Sequence, residues 1–269
     1  MKTYEQVFAE LKSQKRAALI PFFVIGDPDY TTSLAIVKAA MDAGPDILEL
    51  GIPFSDPIAD GPTIQKADVR AIRSGMNVHK ALEFIRELRA SCTGHNDIPI
   101  GLLMYYNLIH QYGTEKFFRD FHEAGVNSVL VADLSIDDAE EIIAPARSAG
   151  LDTVFMVTPN TEPGRMKLIA SKTTGFIYTV SLLGVTGSRA ALSDTVDKLI
   201  TKLKSVTKVP VCVGFGVSTP EHAKTIADAG ADGVIIGSKL VGMIESSLDD
   251  PKKAAKEIAT FLREVKAAL

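Results

Sequence analysis

The sequence has few of the residues from which disulfide scaffolds, metal sites and membrane spans are built. It contains only two cysteines, Cys92 and Cys212, which is too few for a disulfide framework and fits a reducing cytoplasm. The five histidines are scattered without metal-ligand spacing, and no Cys-x-x-Cys pair is present. The longest apolar run, residues 17–25, falls far short of the ~20 residues that span a bilayer. We therefore expect no metal and no membrane.

Basic charge and nucleophile motifs are also scarce. The formal net charge of -4 gives no support for nucleic-acid binding, which usually requires a basic face. The sequence contains no G-x-S-x-G elbow and no P-loop. No lysine lies within the strand candidates, which argues against a Schiff-base nucleophile inside a sheet.

What the sequence does contain is a regular alternation of strand and helix patterns. Eight short runs are rich in β-branched and aromatic residues and mostly continuously apolar, which is typical of parallel strands buried on both faces. They cover residues 18–24, 47–50, 98–105, 128–132, 153–157, 176–180, 209–213 and 233–236. Four of the intervening helices end in Ala-Gly shortly before a strand candidate, as expected of glycine helix caps.

This alternation predicts one α/β domain over residues 1–269, a single (β/α)8 TIM barrel with an extra N-terminal helix. Four apolar side chains between Tyr4 and Leu11 have helical spacing, and Thr3 with Gln6 forms a capping box. The alternative is an open doubly wound sheet. The barrel is favoured because chemically suggestive residues follow several different strands, and the βα loops of a barrel meet at one mouth.

Two carboxylates flank a turn-rich loop in the segment LELGIPFSDPIADGPT, which begins at Leu48. Glu49 leaves a buried strand, where partial desolvation raises the pKa of an acid toward the range of general acid–base catalysis. Taken singly, Glu49 is equally well a structural carboxylate, and Asp60 a turn residue before Gly61. Their position around one loop favours acid–base chemistry.

Small residues follow the last two strand candidates, in VGFGVSTPEHA and GSKLVGMI. Glycines there allow backbone N–H groups and helix N-termini to approach an anion, and barrels often bind phosphate at these two loops. Plain turn chemistry is the alternative for either loop alone. Thr219 stands where a dinucleotide fingerprint requires a third small residue. The loop SLLGVTGSRAALSD is either a lid with Gly184 and Gly187 as flexible points or an ordinary surface loop.

The segment LELGIPFSDPIADGPTIQ closely resembles the signature of the tryptophan synthase alpha subunit family. The segments PFFVIGDPD, PIGLLMYYN, SVLVADL, GVTGSR, GFGVST and GSKLV follow that family's order and spacing, so the resemblance spans nearly the whole chain. Two departures stand out: Leu182-Leu183 in the lid and Pro45 after Gly44. Neither touches the two acids.

The resemblance implies a lyase of tryptophan biosynthesis that cleaves indole-3-glycerol phosphate by a retro-aldol reaction. It implies no cofactor in this chain, pyridoxal phosphate in a beta subunit, an alpha2beta2 tetramer in the cytoplasm, and residues 53–57 in the docking surface. Glu49 would be the proton shuttle, Asp60 would bond the indole N–H, and Tyr178 would be the active-site tyrosine. Substrate contacts would come from Phe22, Ile64, Leu103, Leu130, Thr186, Gly187, Phe215, Gly216, Gly237 and Ser238.

Two other functions stay open at this point. One is a non-catalytic subunit that binds the phosphorylated ligand and only regulates its partner. The other is a stand-alone lyase that releases indole without a beta subunit.

Overall fold

The centre of the protein is a parallel sheet of nine strands. The computed structural model describes residues 1–92, 97–180, 189–214 and 216–269, with the backbone alone for 189–195. In chain order the strands are β1 (Ala18–Val24), β2 (Leu48–Gly51), β3 (Ile100–Met104), β4 (Ser128–Val131), β5 (Asp152–Thr153), β6 (Phe155–Val157), β7 (Ile177–Thr179), β8 (Val211–Val213) and β9 (Gly233–Ile236).

The sheet is a nearly closed barrel. Its strand order is β5-β4-β3-β2-β1-β9-β8-β7-β6, so β5 and β6 stand at its two edges. Only Val154 separates these two strands, and its N–H donates to the Val129 carbonyl at 3.0 Å. The two edges therefore belong to one barrel strand that pairs with β4 through its first half and with β7 through its second. The predicted (β/α)8 barrel is confirmed, with its fifth strand divided in two.

Helices surround the sheet and follow the strands. They are α1 (Tyr4–Ser13), α2 (Tyr30–Asp42), α3 (Pro62–Arg73), α4 (Val78–Ser91), α5 (Tyr106–Tyr112), α6 (Thr114–Glu123), α7 (Glu140–Ser148), α8 (Pro163–Lys172), α9 (Arg189–Lys204), α10 (Pro220–Asp228), α11 (Ser238–Glu245) and α12 (Pro251–Ala268). Within the part of the chain that the structure describes, none of them combines the length and the hydropathy needed to cross a bilayer.

The predicted N-terminal helix closes the amino-terminal end of the barrel. Helix α1 starts with the expected capping box of Thr3 and Gln6. Its Tyr4 side chain is buried, and the hydroxyl lies 2.7 Å from Ser128 Oγ at the start of β4. A Cβ atom on Gly101 would lie 2.9 Å from Tyr4 Oη, so β3 needs glycine there to admit the phenol. Helix α1 is thus the floor of the barrel.

Candidate active site

The strand register fixes where Glu49 lies in the barrel. Glu49 is on β2, beside Phe22 of β1 and Gly101 of β3. Its side chain is 3% exposed, and Oε2 has no hydrogen-bond partner among the described residues. Burial raises the pKa of Glu49 to about 8. An unpaired charge is costly in such a setting, so this carboxyl is protonated at neutral pH.

Asp60 lies in the loop between β2 and α3 and is partly buried. The Tyr105 hydroxyl donates to Asp60 Oδ2 at 2.6 Å and accepts from the Ala59 N–H at 3.0 Å. Burial raises the pKa of Asp60, whereas the hydrogen bond from Tyr105 lowers it. A carboxylate that accepts a short hydrogen bond is stabilised in its charged form, so Asp60 and Glu49 have different environments.

Tyr105 is a residue of this site that the sequence patterns did not predict. The predicted third strand included it, but β3 ends at Met104, and Tyr105 is the N-cap residue of α5. Its ring stacks on Phe54 with 5.0 Å between the ring centroids, and its hydroxyl holds the loop that carries Asp60. A tyrosine directly after a barrel strand, at the end where active sites form, is the signal that could have identified it.

Tyr178 lies on β7, and its pKa responds to the charges of both acids. Burial raises its pKa well above the ordinary value, and the charges of Glu49 and then Asp60 raise it further. On the neighbouring strand, a Cβ atom at Gly214 would lie 2.6 Å from Tyr178 Cζ, so only glycine leaves room for this ring. The phenol is therefore a neutral polar group at the same mouth.

The four apolar residues predicted to enclose the substrate lie on three strands and one helix. Phe22 is buried between two glycines: a Cβ atom at Gly51 would lie 2.8 Å from its Cζ, and one at Gly237 would lie 3.2 Å from its Cδ1. Leu103 of β3 pairs in register with Leu130 of β4. Ile64 is buried on α3, close in sequence to Asp60. Phe22, Ile64 and Leu130 belong to the buried hydrophobic core, and Leu103 packs against it.

The loops after β8 and β9 offer an anion site. Gly216 is exposed at φ +62°, with no described atom within 4 Å of its Cβ position. Gly237 is the N-cap of α11, no described side chain caps it, and the exposed Ser238 begins the helix. A helix N-terminus without a side-chain cap, beside small residues, is a suitable place for a phosphate group. Thr186, Gly187 and Phe215 lie outside the described residues, as do positions 181–188 of the predicted lid loop 181–194. The rest of that predicted loop, 189–194, is helical and forms the start of α9.

The loop between β2 and α3 presents an apolar side chain to solvent. Ile58 is 82% exposed, directly after the segment 53–57 in which we expect docking to a partner. Over the described ranges 1–92, 97–180, 189–214 and 216–269, no cluster of histidine, cysteine, aspartate and glutamate could hold a metal ion.

Comparison with known proteins identifies the family of this chain. The family model described as "Tryptophan synthase alpha chain" matches residues 8–269. The chain is 42% identical to the tryptophan synthase alpha chain of Methanoregula boonei over 268 residues, covering 100% of this chain and 98% of the relative. It is 45% identical to that of Methanothermobacter thermautotrophicus over 251 residues, covering 93% and 92% of the two chains.

Comparison with solved structures leads to the same family. Tryptophan synthase subunit alpha from Legionella pneumophila superposes with a TM-score of 0.90 at 30% identity, covering 100% of this chain and 98% of that one. A chain from the tryptophan synthase a2b2 complex of Pyrococcus furiosus gives a TM-score of 0.84 at 39% identity, with coverages of 92% and 97%.

Proposed function

Because this chain belongs to the tryptophan synthase alpha chain family, we propose that its barrel mouth cleaves indole-3-glycerol phosphate to indole and glyceraldehyde 3-phosphate. The chain is then a lyase of tryptophan biosynthesis. One observation supports this reaction most directly: Glu49 is buried, its Oε2 has no hydrogen-bond partner among the described residues, and its pKa is raised to about 8. Such a carboxyl can both give and take a proton near neutral pH.

Glu49 acts first as an acid and then as a base. The protonated carboxyl donates to indole C3, which forms a cation that accepts the electron pair of the C3–glycerol bond. The resulting carboxylate removes the proton of the glycerol hydroxyl next to that bond. The bond then breaks, giving an aldehyde and neutral indole, and Glu49 is protonated again. Atoms and charge balance without another reactant.

Asp60 stabilises the cation by accepting a hydrogen bond from the indole N–H. The Asp60 carboxylate accepts a hydrogen bond from the Tyr105 hydroxyl. This hydrogen bond orients the carboxylate and favours its charged form. We assign the apolar wall around the indole ring to Phe22, Ile64, Leu103 and Leu130. The phosphate site is assigned to Gly216, Gly237 and Ser238, and a polar contact at the reacting end to Tyr178. We also assign substrate contacts to Thr186, Gly187 and Phe215, which the sequence resemblance implies.

The chemistry as written needs no cofactor in this chain. We propose that pyridoxal phosphate belongs to a beta subunit, and that this chain assembles with it as the Pyrococcus furiosus protein does in its a2b2 complex. Residues 53–57 and the adjoining exposed Ile58 would form part of the docking surface. The free thiols Cys92 and Cys212 fit a cytoplasmic protein.

The test is to incubate the purified chain with indole-3-glycerol phosphate and measure indole, with and without purified beta subunit. Glu49→Gln should abolish cleavage and change phosphate-ligand affinity no more than a few-fold, because the acid and the phosphate loops are separate. Glu264→Gln, at an exposed position on α12, is the matched control.

Each alternative function makes a different prediction in this assay. A Glu49→Gln enzyme with the full indole-forming rate would favour the regulatory subunit. If added beta subunit changed neither turnover nor elution volume, the stand-alone lyase would replace the complex.

A further inference from the structure

Two helices at the mouth are joined by ion pairs that have no role in the mechanism above. Helix α3 follows the loop of Asp60, and α11 follows Gly237 of the proposed phosphate site. Glu245, the last residue of α11, has its Oε1 atom 3.0 Å from Lys66 Nζ and 3.8 Å from Arg70 Nη1. The two cations are four residues apart on α3, so they lie on one face of that helix. Glu245 therefore contacts two cations of the neighbouring helix.

Arg70 is fixed to the barrel at the same time. Its Nε and Nη2 atoms donate to Oδ1 and Oδ2 of Asp27 at 2.6 and 2.9 Å. Asp27 is completely buried in the loop after β1, and a bidentate pair of this kind holds the guanidinium in one orientation. That orientation directs Nη1 toward Glu245. We call the contacts of Glu245 with Lys66 and Arg70, together with Asp27, the α3–α11 bridge.

The bridge connects the two ends of the proposed substrate site. Helix α11 has eight residues and is only about 12 Å long, so the residue in the bridge and the first turn at the phosphate site belong to one short rod. On α3, the side-chain amide of Gln65, next to Lys66, donates to the Asp60 carbonyl at 2.8 Å. A shift of either helix would therefore move the phosphate site relative to Asp60.

Apolar packing alone does not fix this relation. Both helices bury apolar side chains against the barrel: Leu240, Val241 and Ile244 on α11, and Ile64, Ala67 and Ala71 on α3. Hydrophobic contact is non-directional, and packed helices can slide over one another by small amounts. The bidentate pair of Arg70 has a defined geometry, and Glu245 extends it to the second helix. The bridge thus supplies the directional part of the contact.

We propose that Glu245 is a positioning residue, which fixes the distance between the phosphate site and Asp60 through Lys66 and Arg70. The inference rests on the proposed function, in which the substrate has its phosphate at one end and its indole N–H at the other. A ligand that spans both sites gains affinity when their separation is fixed in advance, whereas a ligand that fills only one of them does not.

Binding of three ligands tests the proposal by isothermal titration calorimetry. Indole-3-propyl phosphate spans both sites and lacks the hydroxyl that cleavage requires, while inorganic phosphate and indole each fill one site. In Glu245→Gln, which keeps the shape and removes the charge, the Kd of the spanning ligand should rise about threefold to fivefold, the scale of a partly exposed ion pair. The Kd values of inorganic phosphate and of indole should equal those of the wild type.

Two results would overturn the proposal. One is an unchanged Kd for indole-3-propyl phosphate in Glu245→Gln. The other is an equal rise in the Kd of inorganic phosphate, because the substitution would then have damaged the phosphate site itself. Glu257→Gln is the matched control: it removes the charge of an exposed glutamate on α12 that lies 3.9 Å from Lys253, and it should bind all three ligands like the wild type.

A double-mutant cycle shows whether the ion pairs carry the effect. Lys66→Met removes one of the two cations, so it should weaken the spanning ligand less than Glu245→Gln does. In the Glu245→Gln background the same change should cause no further loss, because the partner of Lys66 is already absent. Losses that add independently would overturn the bridge.

Turnover distinguishes this inference from the proposed function. In Glu245→Gln, kcat/KM for indole-3-glycerol phosphate should fall at least about threefold, since the reacting groups are no longer held at the required separation. If indole forms with equal kcat/KM in the wild type and in Glu245→Gln, the bridge fails and the proposed function stands. If the three ligands bind as expected but no indole forms, the proposed function fails and the bridge stands.

Discussion

Replacing Glu49 by glutamine should inactivate the enzyme and also stabilise the folded chain at alkaline pH. The folded carboxyl has a pKa of about 8, while in the unfolded chain it titrates as an ordinary glutamate near 4.5. Between these values the folded state binds the additional proton, so wild-type stability falls as the pH rises through this window. Glutamine has the same shape as glutamate and does not ionise. The stability of the variant therefore does not fall in this way as the pH rises.

The magnitude follows from the two pKa values. Each unit of pKa difference corresponds to about 1.4 kcal/mol of unfolding free energy. The loss of stability stops growing once the pH exceeds the pKa of the folded state. Between pH 6 and pH 9 the wild type should lose about 2–3 kcal/mol relative to Glu49→Gln. The side chain is almost completely buried, so little of this effect is screened by solvent.

The assay is urea unfolding of both proteins at several pH values, followed by far-ultraviolet circular dichroism. The sequence has no tryptophan, so circular dichroism is preferred to fluorescence. All other titrating groups are common to the two proteins and cancel in the difference. A difference in unfolding free energy that does not change from pH 6 to pH 9 would refute the argument that burial keeps Glu49 protonated.

Three further predictions concern the loop between β2 and α3. Asp60→Asn should lower kcat by about 10²–10³-fold through loss of charge stabilisation, and a near-wild-type rate would remove Asp60 from the mechanism. Tyr105→Phe should raise the pKa of Asp60, since the hydroxyl opposes the effect of burial, and should lower kcat more at pH 6 than at pH 8; a pH-independent loss would contradict this. Ile58→Asp should weaken co-elution with beta subunit while the isolated chain keeps its turnover; unchanged co-elution would exclude Ile58 from the docking surface.

The barrel could be predicted from the sequence because most of its strands are continuously apolar. The run at 18–24 and the run at 233–236 coincide with β1 and β9, since both are buried along their whole length. The division of the fifth strand at Val154 could not be predicted. It results from pairing with β4 on one side and β7 on the other, which no local pattern encodes.

The site was only partly predictable for a similar reason. Glu49 and Asp60 occur in one short motif, so a single segment of sequence indicates both. Tyr105 is 45 residues from Asp60, and its contact depends on two βα loops meeting at the mouth.

The position of α1 beneath the barrel has a consequence for where water can reach the reaction. Tyr4 fills the interior below Gly101, the neighbour of Glu49 in the strand register, and its pKa responds to the Glu49 charge. A segment outside the eight repeats thus fills the space below the proposed catalytic acid. Shortening α1 would remove Tyr4 from that space, so water should enter below Glu49 and the pKa of Glu49 should fall toward that of an ordinary glutamate.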